Sequence, residues 1–295
     1  MDFTLTLVSS VTPLSAGHLL DVEKFLENHG LMMTGQPEWL AEHRAADIPL
    51  AQSLTLEQMA ELRTSLDDDK IDPFCTRTSN REKKLFLADM DATIVTTETL
   101  DELAAEAGIK DKIAKITERA MRGDLDFHEA LKERVGLIKD LPTDALKKTL
   151  DATEISQGAE KMVKAMRDKG TLCVLVSGGF TYFTGAIAAK LGFTAHHGNV
   201  LNIEDDKLTG TVQEPILDKD SKLNFLKLYA EELEIDLDDT LAIGDGANDL
   251  PMLEAAGLGI GYHPKPILEE TLLNCIRHTD LTSVLYAQGY KTADF

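Results

Sequence analysis

The stretch Leu85-Phe86-Leu87-Ala88-Asp89-Met90-Asp91-Ala92-Thr93 runs four apolar residues straight into two carboxylates. An unbroken apolar run of that length, closed by a polar turn, reads as a strand buried on both faces. That is the habit of a parallel sheet with helices on each side. Where the extended conformation continues past Ala88, Asp89 and Asp91 point the same way and Met90 points opposite.

Three more runs share the pattern: Leu172-Cys173-Val174-Leu175-Val176, Leu241-Ala242-Ile243 and Leu258-Gly259-Ile260. Helical patterns separate most of them, as a doubly wound α/β fold requires. Two of the runs end in polar, glycine-containing turns, Ser177-Gly178-Gly179 and Gly244-Asp245-Gly246-Ala247-Asn248-Asp249. Ligands of open α/β sheets bind beyond the carboxyl ends of the strands. If the three strands are neighbours, their turns converge on one site.

The residues at those turns suit phosphoryl chemistry. One carboxylate of the Asp89/Asp91 pair can attack phosphorus, and the other can protonate the leaving oxygen and then deprotonate water. Asp245 suits a hard cation, which prefers oxygen ligands. Ser177 and the amides of Gly178 and Gly179 precede a helix, an arrangement suited to phosphate oxygens. Lys222 can oppose developing negative charge. Each feature alone has a plain structural reading. Asp-x-Asp is common in turns, Ser-Gly-Gly serves as a strand-to-helix turn, and Asp245 and Asp249 favour a helix start that has Pro251 in its first turn. A single lysine is most often a solvated one. The ordered combination at strand ends favours the chemical reading.

On these motifs, residues 84–290 resemble the haloacid dehalogenase superfamily of phosphohydrolases, and within it the phosphoserine phosphatases. The resemblance implies that Asp89 is the nucleophile and Asp91 the general acid/base. It places Ser177, Gly178, Gly179, Lys222 and Asn248 on phosphate or substrate. It implies magnesium held by Asp89, the Asp91 backbone carbonyl and Asp245, with Asp249 supporting that site. The implied reaction is hydrolysis of O-phosphoserine through an aspartyl phosphate, the last step of serine biosynthesis. The sequence departs from the pattern at Ala92, where a serine usually stands.

Residues 97–153 hold several helical patterns and no strand, too long for a single crossover. Leu100, Leu103, Ala104 and Ala107 repeat with helical spacing, as do Ile113, Ile116, Thr117 and Ala120. This predicts a helical cap inserted after the first core strand. Arg134 falls on the same stripe as Phe127, Ala130 and Leu131, which puts a cation on an inward face. A guanidinium there can hold a carboxylate through two parallel bonds. Glu98 is expected in the first turn of the first cap helix. The resemblance implies that Glu98 and Arg134 bind the amino and carboxylate groups of the substrate, with Met121 and Phe127 as an apolar cap wall. Residues 199–214 predict a hairpin around Asp205-Asp206-Lys207.

Residues 1–80 read as a separate unit: strand (3–9), helix (16–29), extended stretch (31–50), helix (55–66) and strand (71–77). It is similar to the small ligand-binding ACT domains. Three roles stay open for it: an effector site, a homodimer contact, or help in folding. The charged stretch Asn80-Arg81-Glu82-Lys83-Lys84 marks the boundary. The expected division is 1–80 for this N-terminal unit, 81–96 with 154–295 for the catalytic core, and 97–153 for the cap. The expected fold class is α/β: a Rossmann-like parallel sheet, an inserted helical cap and a small N-terminal domain.

The 295 residues are 43% hydrophobic, enough for a sizeable core, and carry a formal net charge of −21. Such a surface repels nucleic acid and anionic membranes, so neither is an expected partner. A small-molecule substrate is. No apolar run approaches the ~20 residues of a membrane helix, and the start lacks the look of a secretory signal. A cytoplasmic protein is expected. Cys75, Cys173 and Cys275 are far apart, which supports neither disulfides nor zinc. Two alternatives remain: a phosphatase or phosphotransferase for another small phosphomonoester such as phosphohomoserine, and a non-catalytic binding protein.

Overall fold

A computed structural model describes residues 2–121 and 124–295, except for the side chains of Glu118, Ala120, Met121 and Lys219. The chain opens with β1 (Phe3–Ser9), α1 (Ala16–Asn28), β2 (Glu38–Ala41), β3 (Ala45–Leu50), α2 (Leu56–Leu66) and β4 (Ile71–Arg77). These strands form a four-stranded antiparallel sheet in the order β2-β3-β1-β4. The extended stretch read at 31–50 is resolved as the β2–β3 hairpin. Ser15 and Thr55 cap the two helices, each accepting from the amide three residues on. Leu19, Val22 and Leu26 of α1 pack with Met59 and Leu62 of α2 on Leu5, Leu7, Ile48 and Leu50. Val8, Ala45 and Phe74 belong instead to a second core shared with Leu285 and Tyr286 near the C-terminus.

The motif strands lie in a second sheet. In chain order its elements are β5 (Leu85–Ala88), α3 (Thr99–Glu106), α4 (Lys110–Met121), α5 (Phe127–Leu137), α6 (Asp144–Ala152), α7 (Ala159–Asp168), β6 (Leu172–Phe180), α8 (Thr181–Leu191), β7 (Ala195–Asn199), β8 (Leu201–Glu204), β9 (Lys207–Val212), α9 (Lys219–Glu232), β10 (Thr240–Gly244), α10 (Leu250–Ala255), β11 (Leu258–Tyr262), α11 (Pro266–Thr271), β12 (Cys275–Ile276) and α12 (Ser283–Ala287). The sheet order is β12-β11-β10-β5-β6-β7, and every pairing is parallel. The expected α/β class with a parallel sheet is thus observed.

Alternation along β5 explains its unbroken apolar run. Leu85 and Leu87 face a cluster containing Leu226 of α9 and Met252 of α10. Phe86 and Ala88 face Met162 and Met166 of α7 and Phe183 of α8. The chain goes from β5 outward through β6 to β7, then returns to β10 on the other side of β5. The reversal makes the crevice above β5 the place for a ligand.

Helices α3–α6 leave the core after β5 and return before α7. Their two connecting strands run side by side: Thr96 N–H donates to Glu154 O and Ser156 N–H to Ile94 O. The β8–β9 hairpin, read at 199–214, clips this helical unit in place. Asp140 N–H donates to Leu208 O, and Thr143 N–H to Asp206 O. Among the described residues, no helix is long and apolar enough to cross a membrane. The three cysteines are buried and unpaired.

Candidate active site

The sheet brings the three motif turns together. Asp89 directly follows β5 and Gly244 closes β10, while Ser177, Gly178 and Gly179, read from the sequence as a turn, lie inside β6, which runs on to Phe180; β5 sits between the other two strands. A cavity of about 330 Å³ opens there, lined by Asp89, Asp91, Ser177, Gly178, Gly179, Asp245 and Asn248 from the core and by Glu98, Phe127 and Arg134 from the helical unit. A larger cavity of about 720 Å³, between Leu40–Arg44 and the C-terminal residues, contains none of the motif residues.

Met90 is fully buried in the apolar core while Asp89 and Asp91 line the cavity, as the strand alternation predicts. The backbone then turns sharply at Ala92, with φ +52° and ψ 8°, and Val95 N–H reaches back to Met90 O. A left-handed alanine is uncommon and strained, the kind of conformation that clusters at active sites.

Asp91 is fixed from two sides. Its Oδ1 accepts from Thr99 N–H at 2.8 Å and from Thr99 Oγ1 at 2.8 Å; its Oδ2 accepts from Ser177 Oγ at 2.7 Å. Ser177 Oγ in turn accepts from Gly179 N–H at 2.7 Å. A Cβ on Gly179 would lie 3.0 Å from Asp91 Oδ2, so a side chain there would crowd the carboxylate.

Thr99 begins α3, which corrects the expectation for Glu98. Glu98 is the residue that precedes the helix, with no capping bond of its own. Asp91 takes the free amide at that helix end instead. The Glu98 carboxyl is therefore free to serve the cavity. Loss of surrounding water and the nearby Asp91 charge push it up to about 7.

Lys222, on α9, is 3% exposed and lies behind Asp89. Its ammonium is 2.6 Å from Asp89 Oδ1 and 2.5 Å from Asp249 Oδ1. Burial disfavours that charge, but Asp249 and Asp89 more than offset it and raise the lysine's pKa. Burial, then the Asp249 charge, raises the pKa of Asp89. Asp249 Oδ2 accepts from the amides of Asp245 and Gly246 at 3.2 Å and 3.1 Å. A Cβ on Gly244 would come within 2.4 Å of Asp249 Cγ, which explains the glycine before the Asp245 turn.

Carboxylate oxygens of Asp89, Asp245 and Asp249 lie within 4.8 Å of one another. Lys222, buried among them, and the half-exposed Lys265 on Asp245 set two ammonium groups against the three acids, which leaves them short of positive charge. This all-oxygen donor set fits a hard cation.

Phe127 and Arg134 approach from α5. The Phe127 ring reaches the site of a Cβ on Gly178 at 3.3 Å, closing the helical unit over the Ser177-Gly178-Gly179 segment. Arg134 is half-buried; its Nε donates to Ala130 O at 3.3 Å. Burial lowers its pKa, partly opposed by Asp101 and Glu98. Met121 ends α4, but its side chain is outside the described residues. Two polar cavity residues escaped the sequence reading. Thr99 belongs to no motif and to no apolar period. Lys265, 2.9 Å from Asp245 Oδ2, belongs to no apolar period or glycine turn.

The family model of the haloacid dehalogenase-like hydrolases matches residues 86–254. The phosphoserine phosphatase of Methanocaldococcus jannaschii is 42% identical over 205 residues, 70% of this chain and 97% of that protein. Across the first relatives of this kind the matched share of the relative runs from 51% to 97%. A solved hydrolase of the same family from Salmonella enterica serovar Typhi superposes with a TM-score of 0.85 at 28% identity, over 97% of this chain and 98% of that one. A phosphoserine phosphatase solved as a phospho-aspartyl intermediate analogue gives a TM-score of 0.65 at 41% identity, over 70% and 98% of the two chains. With its motif turns gathered at one crevice, the chain belongs to the haloacid dehalogenase-like hydrolases.

Proposed function

We propose that the protein hydrolyses O-phosphoserine to serine and phosphate, with magnesium and through an aspartyl phosphate on Asp89. The carrying observation is the cavity itself, which sets Asp89 and Asp91 against Glu98 and Arg134. An amino acid bearing a phosphate offers an ammonium for Glu98, a carboxylate for Arg134 and a phosphoryl group for the core turns. The likeness to phosphoserine phosphatases supports the same substrate.

In the first step an Asp89 carboxylate oxygen bonds to phosphorus while the bond from phosphorus to the serine oxygen breaks. Asp91 gives that oxygen its proton. In the second step Asp91 takes a proton from water, the water oxygen bonds to phosphorus, and the bond to Asp89 breaks. Thr99 holds Asp91 in place throughout; Ser177 holds it until phosphate enters and takes over the Ser177 hydroxyl and the Gly179 amide. Ser177 and the amides of Gly178 and Gly179 receive phosphate oxygens, Asn248 adds a contact, and Lys222 holds Asp89 oriented. Asp89, Asp245 and the Asp91 backbone carbonyl would hold magnesium; Asp249, whose oxygens already accept from Lys222 and two amides, supports them. The cation supplies charge that lets carboxylate and phosphate approach.

In this reading residues 81–96 and 154–295 form the catalytic core, residues 97–153 the selecting cap, and residues 1–80 a separate unit. The reaction belongs to the cytoplasm, which suits three free cysteines. Steady-state hydrolysis of phosphoserine, phosphohomoserine and para-nitrophenyl phosphate tests it, with magnesium and after chelation. Phosphoserine should give the highest kcat/KM, lost on chelation and restored by magnesium. Equal kcat/KM on all three, or full activity after chelation, would overturn it.

A further inference from the structure

Lys265 has no part in the chemistry above, yet it is tied twice to Asp245. Its backbone N–H donates to Asp245 O at 2.9 Å, and its ammonium lies 2.9 Å from Asp245 Oδ2. It directly precedes α11, whose first residue is Pro266, so its backbone is anchored. A Cβ on Gly246 would lie 3.2 Å from Lys265 Nζ, so the bare glycine leaves the lane that the ammonium occupies.

The two lysines at this site differ in freedom. Lys222 is 3% exposed and clamped between Asp89 and Asp249. The Lys265 side chain is 56% exposed, whereas its partner Asp245 is 9% exposed. An ammonium that reaches a buried carboxylate from the solvent side can leave it; the carboxylate cannot follow. Besides Asp245, the acids that face Lys265 are Glu98 and Asp249.

We propose that Lys265 is an internal counter-ion that competes with the divalent cation for Asp245 and so sets the affinity of the site. In the metal-free protein it relieves repulsion among Asp89, Asp245 and Asp249. The cation must displace it toward solvent or Glu98. The proposal rests on the reading of Asp245 as a metal ligand.

The test is calorimetric titration of magnesium chloride into the full chain, as the parent, Lys265→Met and Lys265→Arg. Removing a half-exposed ion pair that the metal must break should tighten magnesium binding about two- to fivefold in Lys265→Met. Lys265→Arg keeps a cation and should stay near the parent. The melting temperature of metal-free Lys265→Met should fall, and magnesium should raise it by more than in the parent. If Lys265→Met does not fold, Lys265→Gln is titrated in its place, with the same expectation. Unchanged or weaker binding without the ammonium would overturn the proposal, as would equal tightening in Lys265→Arg. A parent that binds no magnesium would overturn the reading of Asp245 as well.

Discussion

Lys222 holds Asp89 through an ion pair of 2.6 Å that is almost wholly buried, with Asp249 as the second acceptor. Removing one partner of a buried pair leaves uncompensated charge. Lys222→Met should therefore lose about 3–5 kcal/mol of stability. It should also lower kcat on the order of 10²- to 10³-fold, the loss typical of a preorganised electrostatic contact. Urea unfolding beside steady-state kinetics checks both, and an unchanged unfolding midpoint would show that the pair contributes nothing.

Arg134 reaches the cavity from the same helix face as Phe127. If it holds the substrate carboxylate, Arg134→Ala should reduce kcat/KM for phosphoserine about ten- to over a hundredfold, the value of a charged hydrogen bond of ~1.5–3 kcal/mol. Hydrolysis of para-nitrophenyl phosphate, which lacks a carboxylate, should change far less. Arg134→Lys should recover part of the loss, since lysine cannot make the paired contact. Equal losses on both substrates, with a lower melting temperature, would make Arg134 a structural cation.

Glu98 gives the site a pH signature. An ordinary glutamate titrates near 4.5, and here the value is raised to about 7. Folding thus favours the protonated form. Its favourable contribution is complete below about 4.5 and is lost as pH rises through about 7. Glu98→Gln should accordingly raise the melting temperature relative to the parent at pH 8, and less at pH 5. If Glu98 holds the substrate ammonium, its charged form is needed for binding, and KM for phosphoserine should rise as pH falls through about 7 in the parent. That component should vanish in Glu98→Gln. A variant that keeps the parent's pH profile would remove Glu98 from the substrate's amino group.

The sheet was legible because its strands are buried on both faces. Leu85–Ala88 and Leu172–Val176 carry the signal that burial demands. The edge strand Ala195–Asn199 was not, for it is partly exposed and carries polar residues. Its histidines are satisfied locally: His196 by Thr184, and His197 by Tyr229 and a stacked Phe225. Asp89, Asp91, Ser177 and Asp245 were visible because each directly follows or closes off an apolar run, although the strand of Ser177 continues to Phe180. Lys265 was not, since only tertiary folding brings it to Asp245. The charged stretch 80–84 looked like a loose boundary, yet Arg81 pairs with Asp47, Lys84 pairs with Asp239, and Lys83 is buried with its ammonium on Asp238 O. Charge in a sequence marks solvent or a partner, and only the fold decides which.

Phosphoryl transfer to Asp89 would leave a covalent intermediate that can be trapped. Rapid acid quench of the magnesium-loaded protein with phosphorus-labelled phosphoserine, followed by borohydride reduction and peptide mapping, reads it directly. The expected result is a transient acid-stable label on protein, a homoserine at position 89 after reduction, and no label in Asp89→Asn, which stays folded but does not turn over. Turnover with no protein-bound phosphate, or a label that persists in Asp89→Asn, would contradict it.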